Sequence, residues 1–222
     1  MAANPTAISH AHPVTLTERP DFSVIGEIIE PGSRVLDLGC GEGELLAHLR
    51  DSFGVSGYGM EIDPDKITAC VAKGVNVIEQ DLNRGLRNLR DQSFDTVIMT
   101  QTLQAVQHPD RLLDDMLRVA QEAIITFPNF AHWKTRFYLT FRGMMPVSEA
   151  LPYTWYNTPN IHLCTFNDFD ALCVEKNIQV LDRLAVNGDQ QGTALMQAMP
   201  NMLGEIAIYR VTRKQLRFKV AT

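Results

Sequence analysis

Residues 34–46 read RVLDLGCGEGELL. Arg34 to Leu38 is a short apolar run broken only by Asp37. Three glycines then alternate, Gly39, Gly41 and Gly43, and a helical pattern opens with Glu44, Leu45 and Leu46. The spacing predicts a buried strand, a tight turn and a helix start. Alternating glycines let a backbone approach something closely, because no Cβ stands in the way. What the turn holds is the question from which function follows.

Outward from the turn, strand and helix signals alternate. Upstream, DFSVIGEIIEPG places Val24, Ile25, Ile28 and Ile29 on one helical face and stops at Pro31-Gly32. Downstream, VSGYGMEID is a strand ending on acids, PDKITACVAKG a helix, and VNVIEQD and FDTVIMTQ two further strands. PDRLLDDMLRVA suits a helix through Leu112, Leu113, Met116, Leu117 and Val119, and EAIITFPN is the next strand. This rhythm implies an α/β fold, a mostly parallel sheet with helices on both faces. The tail differs. TFNDFDALCVEKN is a helix with Thr165 as N-cap and Asp168 in the capping-box position. IQVLDRLAVNG and GEIAIYRVTR follow as strands with no long helix between them, which suggests an antiparallel C-terminal pair. The residues between them, 189–203, read as a polar, Met-rich loop.

Composition bounds the rest. The chain has 222 residues, 45% hydrophobic and 21% charged, as in an ordinary globular chain that needs no staples. Residues 1–18 lack any period and read as an arm; 19–222 read as one domain, with an insertion at about 130–164. Formal net charge is −6, without a basic run, which argues against a nucleic-acid surface. The cysteines, Cys40, Cys70, Cys164 and Cys173, form no CxxC pair. A reduced, cytoplasmic setting is expected. No apolar stretch is long enough to span a membrane. His10 and His12 lack an accompanying carboxylate or Cys cluster, so no metal site is expected.

Two readings of the turn fail. A dinucleotide fingerprint, G-x-G-x-x-G, would need glycine where Glu44 stands, and no Gly-Lys-Ser/Thr follows for a P-loop. What stands here is D-x-G-x-G-x-G from Asp37 to Gly43, with Glu61 and Asp63 closing the second strand and Asp81 following the third. This pattern resembles the class I S-adenosylmethionine (SAM)-dependent methyltransferases, a Rossmann-like fold. The resemblance implies that SAM or S-adenosylhomocysteine lies over the glycine turn. It implies that Asp37 orients the ammonium and that Glu61, beside Ile62, accepts both ribose hydroxyls. Asp81 would face the adenine amino group with Leu82 nearby, and Gln101 would touch the cofactor. Carboxylates suit a cation and hydroxyls, and backbone N–H groups suit a carboxylate.

Later stretches narrow the resemblance. SFDTVIMTQTLQAVQHPDRLLDDMLRV, ITFPNFAHW and MPVSEALPYTWYNTPNIHLCTFNDFDALC resemble the MetW proteins of bacterial methionine biosynthesis, from about Arg19 to about Val186. The resemblance implies an accessory protein that binds and activates homoserine O-acyltransferase. The rival from another class is a small-molecule methyltransferase. A catalytic base is hard to find: His108 precedes Pro109 in a loop, a place for a solvated or capping residue, and Cys40 reads as a small space-filler with no activating base. Tyr153, Trp155, Tyr156, Asn160 and His162 crowd a Pro-rich stretch that reads as a lid or a partner surface, against a plain packing insertion.

Overall fold

The structure is a computed structural model and describes residues 20–148, 150–187, 190–191 and 193–213. The expected arm at 1–18, with His10 and His12, lies outside the described residues. An eight-stranded sheet forms the centre: β1 Arg34–Leu38, β2 Ser56–Glu61, β3 Asn76–Glu79, β4 Phe94–Thr100, β5 Ala120–Pro128, β6 Ile178–Asn187, β7 Gln190–Gln191 and β8 Ile206–Arg213. Its order is β3-β2-β1-β4-β5-β8-β6-β7. β1 to β5 are parallel, and β8 runs antiparallel to both β5 and β6.

Side-chain alternation builds a core on each face of the sheet. On one face Val35, Ile98, Ile124 and Ile208 pack with the helices α1 Pro20–Ile28, α2 Glu44–Phe53 and α3 Pro64–Ala72. On the other, Leu36, Val97, Ile125 and Tyr209 pack with α4 Pro109–Val119 and α6 Phe166–Glu175. The capping box at the start of α6 is complete: Asp168 N–H donates to Thr165 Oγ1 at 3.2 Å, and Thr165 N–H to Asp168 Oδ2 at 3.1 Å. Tyr209 stacks on Phe127 at 5.9 Å between centroids and donates its hydroxyl to Asp170 at 2.8 Å.

One element departs from the expectation. The Met-rich stretch 189–203 contains helical turns, α7 Ala194–Ala198 and α8 Pro200–Leu203, and is not a plain loop. Thr193 Oγ1 accepts from Met196 N–H and caps the first, and Pro200 opens the second. Helices of five and four residues are too short to leave a period in the sequence. A further helix, α5 Trp133–Arg142, stands within the 130–164 insertion and buries only Thr135.

Candidate cofactor cleft and the segment beside it

Ligands bind such sheets beyond the C-terminal strand ends, where the order reverses. Here that point lies between β1 and β4, directly over the glycine turn. Gly39, Gly41 and Gly43 all take positive φ, +75°, +57° and +76°. Two of them are also required by neighbours. A Cβ on Gly39 would stand 2.6 Å from Thr102 Oγ1, and one on Gly43 would stand 3.0 Å from Cys70 Sγ. Gly41 differs: nothing lies within 4 Å of where its Cβ would be. Its backbone borders open space, as close approach by a ligand demands. The N-cap of α2 is Gly43, which has no side chain to accept from the first N–H groups of the helix.

Glu61 holds this turn in place. Its Oε2 accepts from Gly41 N–H at 3.0 Å, and its Oε1 accepts from Ile62 N–H at 2.8 Å and Asp63 N–H at 3.1 Å. The carboxylate therefore ties the glycine turn to the end of β2 before any ligand is considered. Asp37 is buried at the end of β1, in register with Gly59 and Ile98. Cys40 packs its thiol against Gly59 and lies 3.8 Å from Cys70 Sγ. Burial pushes the Cys40 thiol well above its ordinary value, which fits a space-filler and not a nucleophile.

A cleft of about 510 Å³ brings exposed Ile62 together with Asp81, Arg84 and Asn88. Asp81 has a local task there: its Oδ1 accepts from Asn83 N–H at 2.9 Å and caps a short 3₁₀ turn, Leu82–Arg84. Leu82 is half-buried beside it. Gln101 follows β4 at φ +49°, a conformation few non-glycine residues adopt, held by its N–H bonds to Thr126 at 2.9 and 3.1 Å. His108 is exposed at the start of α4 and its side chain caps nothing.

The expected lid divides in two. Its C-terminal end is docked: Ile161 and His162 N–H groups both donate to the Gln104 carbonyl, at 2.9 and 3.0 Å, and Gln104 Nε2 donates to the Gln101 carbonyl at 2.7 Å. Its aromatic part is not. Tyr153, Trp155 and Tyr156 are exposed, which excludes the reading of these rings as core packing. Asn160 is half-buried, its N–H bonded to Thr158 Oγ1 at 3.0 Å.

Sequence reasoning passed over three residues at this edge of the sheet. Asp21 is fully buried and accepts from Thr126 Oγ1 at 3.3 Å. Asn129, just past β5, donates to the carbonyls of Asn201 and Gly204 at 3.1 and 2.8 Å and pins the approach to β8. His132 is buried beside a cavity of about 310 Å³ that also touches Tyr138, Leu151 and the Lys134–Glu205 ion pair. Burial holds the His132 imidazole below its ordinary value of 6.5, with Glu205 opposing and Lys134 assisting. A histidine three residues after FPN at a strand end was the available signal for His132.

The model of the methionine biosynthesis protein MetW matches residues 19–211. This chain belongs to the MetW family. A bifunctional methionine biosynthesis protein MetXA/MetW of Rhodopirellula baltica is 36% identical over 92% of this chain and 34% of its own length. The chain thus spans about a third of that relative. Norajmaline N-methyltransferase of Rauvolfia serpentina is 28% identical over 53% of this chain and 39% of its own length. Among solved structures, a SAM-dependent methyltransferase of Mesorhizobium loti superposes with a TM-score of 0.63 at 15% identity, over 89% of this chain and 98% of that one. The MetW chain therefore has the class I methyltransferase fold and a place in methionine biosynthesis. Among the described residues no helix is long and apolar enough to cross a membrane.

Proposed function

We propose that this MetW protein is a SAM-binding accessory subunit that binds and activates homoserine O-acyltransferase. The observation that carries the partnership is the R. baltica relative, which carries MetXA and MetW in one chain. Fusion turns an encounter into an intramolecular contact, an arrangement that favours units that work together.

The residues present fit SAM. Open space at Gly41, the α2 N-terminus, buried Asp37 and Glu61, and exposed Ile62 beside Asp81 supply a place for each part of it. When bound, SAM supplies an electrophilic methyl group. Around it this chain offers Gln101, Thr102 and Gln104 at the β4 end, none of them a base, with His108 exposed outside. The Gln101–Gln104–His162 bonds join the cofactor edge to the insertion, so SAM can report methionine status to the partner if it binds the free and complexed forms with different affinity.

The test is acyl transfer by the cognate acyltransferase with and without this chain, across a SAM titration. Activation that varies with SAM is expected, together with calorimetric binding of SAM or S-adenosylhomocysteine. A chain that neither binds the acyltransferase nor changes its rate refutes the accessory role. Stoichiometric conversion of SAM to S-adenosylhomocysteine with a cellular metabolite favours a methyltransferase instead.

A further inference from the structure

Helix α5 has no packing reason of its own to exist. It is ten residues long and buries one of them, Thr135. Isolated helices of this length are marginal in water, and most helices are held by a buried apolar face. The aromatic stripe of α5 is about half covered at Trp133 and Phe137 and open at Phe141. Trp133, Phe137 and Phe141 recur every four residues along the helix: Trp133 meets Phe137 edge to face at 6.1 Å between ring centroids, and Phe137 stacks on Phe141 at 5.7 Å, with Phe141 76% exposed.

A second exposed aromatic cluster belongs to the same insertion, and α5 borders the cavity between them through Lys134, Thr135 and Tyr138. Pro146 and Leu151 line the cavity under α5 and also the neighbouring groove that holds Tyr153 and Trp155. Trp155 and Tyr156 are 75% and 72% exposed and meet edge to face at 5.6 Å. Two exposed aromatic clusters within one insertion are unusual on a monomer and mark interfaces, where Trp and Tyr are preferred anchors.

Charge narrows the occupant. Residues 130–163 carry Lys134, Arg136 and Arg142 against one acid, Glu149, on a chain whose formal charge is −6; Lys134 is paired with Glu205, so Arg136 and Arg142 set the charge of this face. A two-fold contact with a second copy, centred on α5, would set Arg136 and Arg142 of one chain near those of the other, which like-charge repulsion disfavours. An apolar groove with an acidic rim fits the surface.

We infer that α5 and the Tyr153–Tyr156 turn together form the docking surface for the acyltransferase, whose matching surface is an apolar groove rimmed by carboxylates. This rests on the accessory role proposed above. It adds which face is used, and why the insertion is aromatic and basic. The docked end at His162 then places this interface one hydrogen-bonded residue, Gln104, from the β4 end of the cofactor cleft.

Binding of the cognate acyltransferase to wild type, Phe137→Asp, Trp155→Asp and Arg142→Glu tests it, with urea unfolding of each variant alone. Expected are losses of at least about 30-fold for the two aromatic variants and about tenfold for Arg142→Glu at low salt, with unchanged unfolding midpoints. If wild type binds and all three variants bind equally well, the surface is elsewhere and the accessory role stands. If wild type does not bind, the accessory role itself fails and this inference with it. If wild type alone is a dimer that Phe137→Asp converts to monomer, the occupant is a second copy and the inference is overturned.

Discussion

The glycine turn and the 130–164 insertion lie at the same edge of the sheet and solve opposite problems. In the turn nearly every group is committed: the carboxylate of Glu61 holds three backbone N–H groups, Thr102 fills the space over Gly39, and the Cys40 thiol fills the space over Gly59. In the insertion, Trp133, Phe137, Phe141, Trp155 and Tyr156 face water. A rigid cradle suits a small ligand, because little ordering remains to be paid on binding. An uncovered aromatic face suits a large partner, because its stability is completed only by contact. Substitutions should therefore move folding in one region and association in the other.

The strongest contrast is expected at Gly39. Gly39→Ala puts a Cβ against Thr102 in a left-handed backbone and should lower unfolding free energy by about 2–4 kcal/mol. Urea denaturation measures it; a stability unchanged from wild type would break the claim that the turn is rigid. Next comes Glu61→Gln, which loses the charge that accepts three N–H donors. A cost of about 1.5–3 kcal/mol is expected even without ligand. Weaker SAM binding by this variant must accordingly be corrected for the loosened turn.

A smaller, pH-dependent effect is expected at His132. Its folded value is depressed by burial, so the unfolded chain takes up the proton first as pH falls. Its contribution is complete above about pH 6.5 and declines as pH falls below that. His132→Gln should flatten the stability profile between pH 7 and 5, and an unaltered slope would remove His132 from the account. Asp114 runs likewise but lower. Burial raises it, yet bonds from Lys176 and Arg213 at 2.7 Å outweigh that and hold it below the ordinary carboxylate range. Asp114→Asn should cost at most about 1 kcal/mol at pH 7, given its exposure, and nothing below the acid range where wild type has lost the charge. Smallest is Phe141→Ala on α5, within about 0.5 kcal/mol of wild type. A cost above 2 kcal/mol would mean that α5 belongs to the core of this chain.

The sequence showed the first region better than the second. The strand RVLDL, the glycine turn and the acids after β2 and β3 are local patterns, and the parallel order follows from their alternation. The duty of Glu61 toward Gly41 was not legible, since it depends on a contact twenty residues apart. Asp81 as the cap of a 3₁₀ turn was equally hidden behind its expected role toward a ligand. In α5 the signal was present: aromatic residues at 133, 137 and 141 and Gly143 as C-cap. An amphipathic period shows that a helix has an apolar face, but not whether its own chain covers that face.

The place of β8 has a consequence for synthesis. It is the last described strand in the chain, yet it lies between β5 and β6 and supplies Ala207, Ile208 and Tyr209 to both cores. On the ribosome, β5 must leave the backbone groups of one edge unpaired until about eighty further residues have emerged. Nascent chains stalled before residue 206 should thus be captured by chaperones, and chains stalled well past 213 should not. β6 and β7 join the sheet only when β8 does.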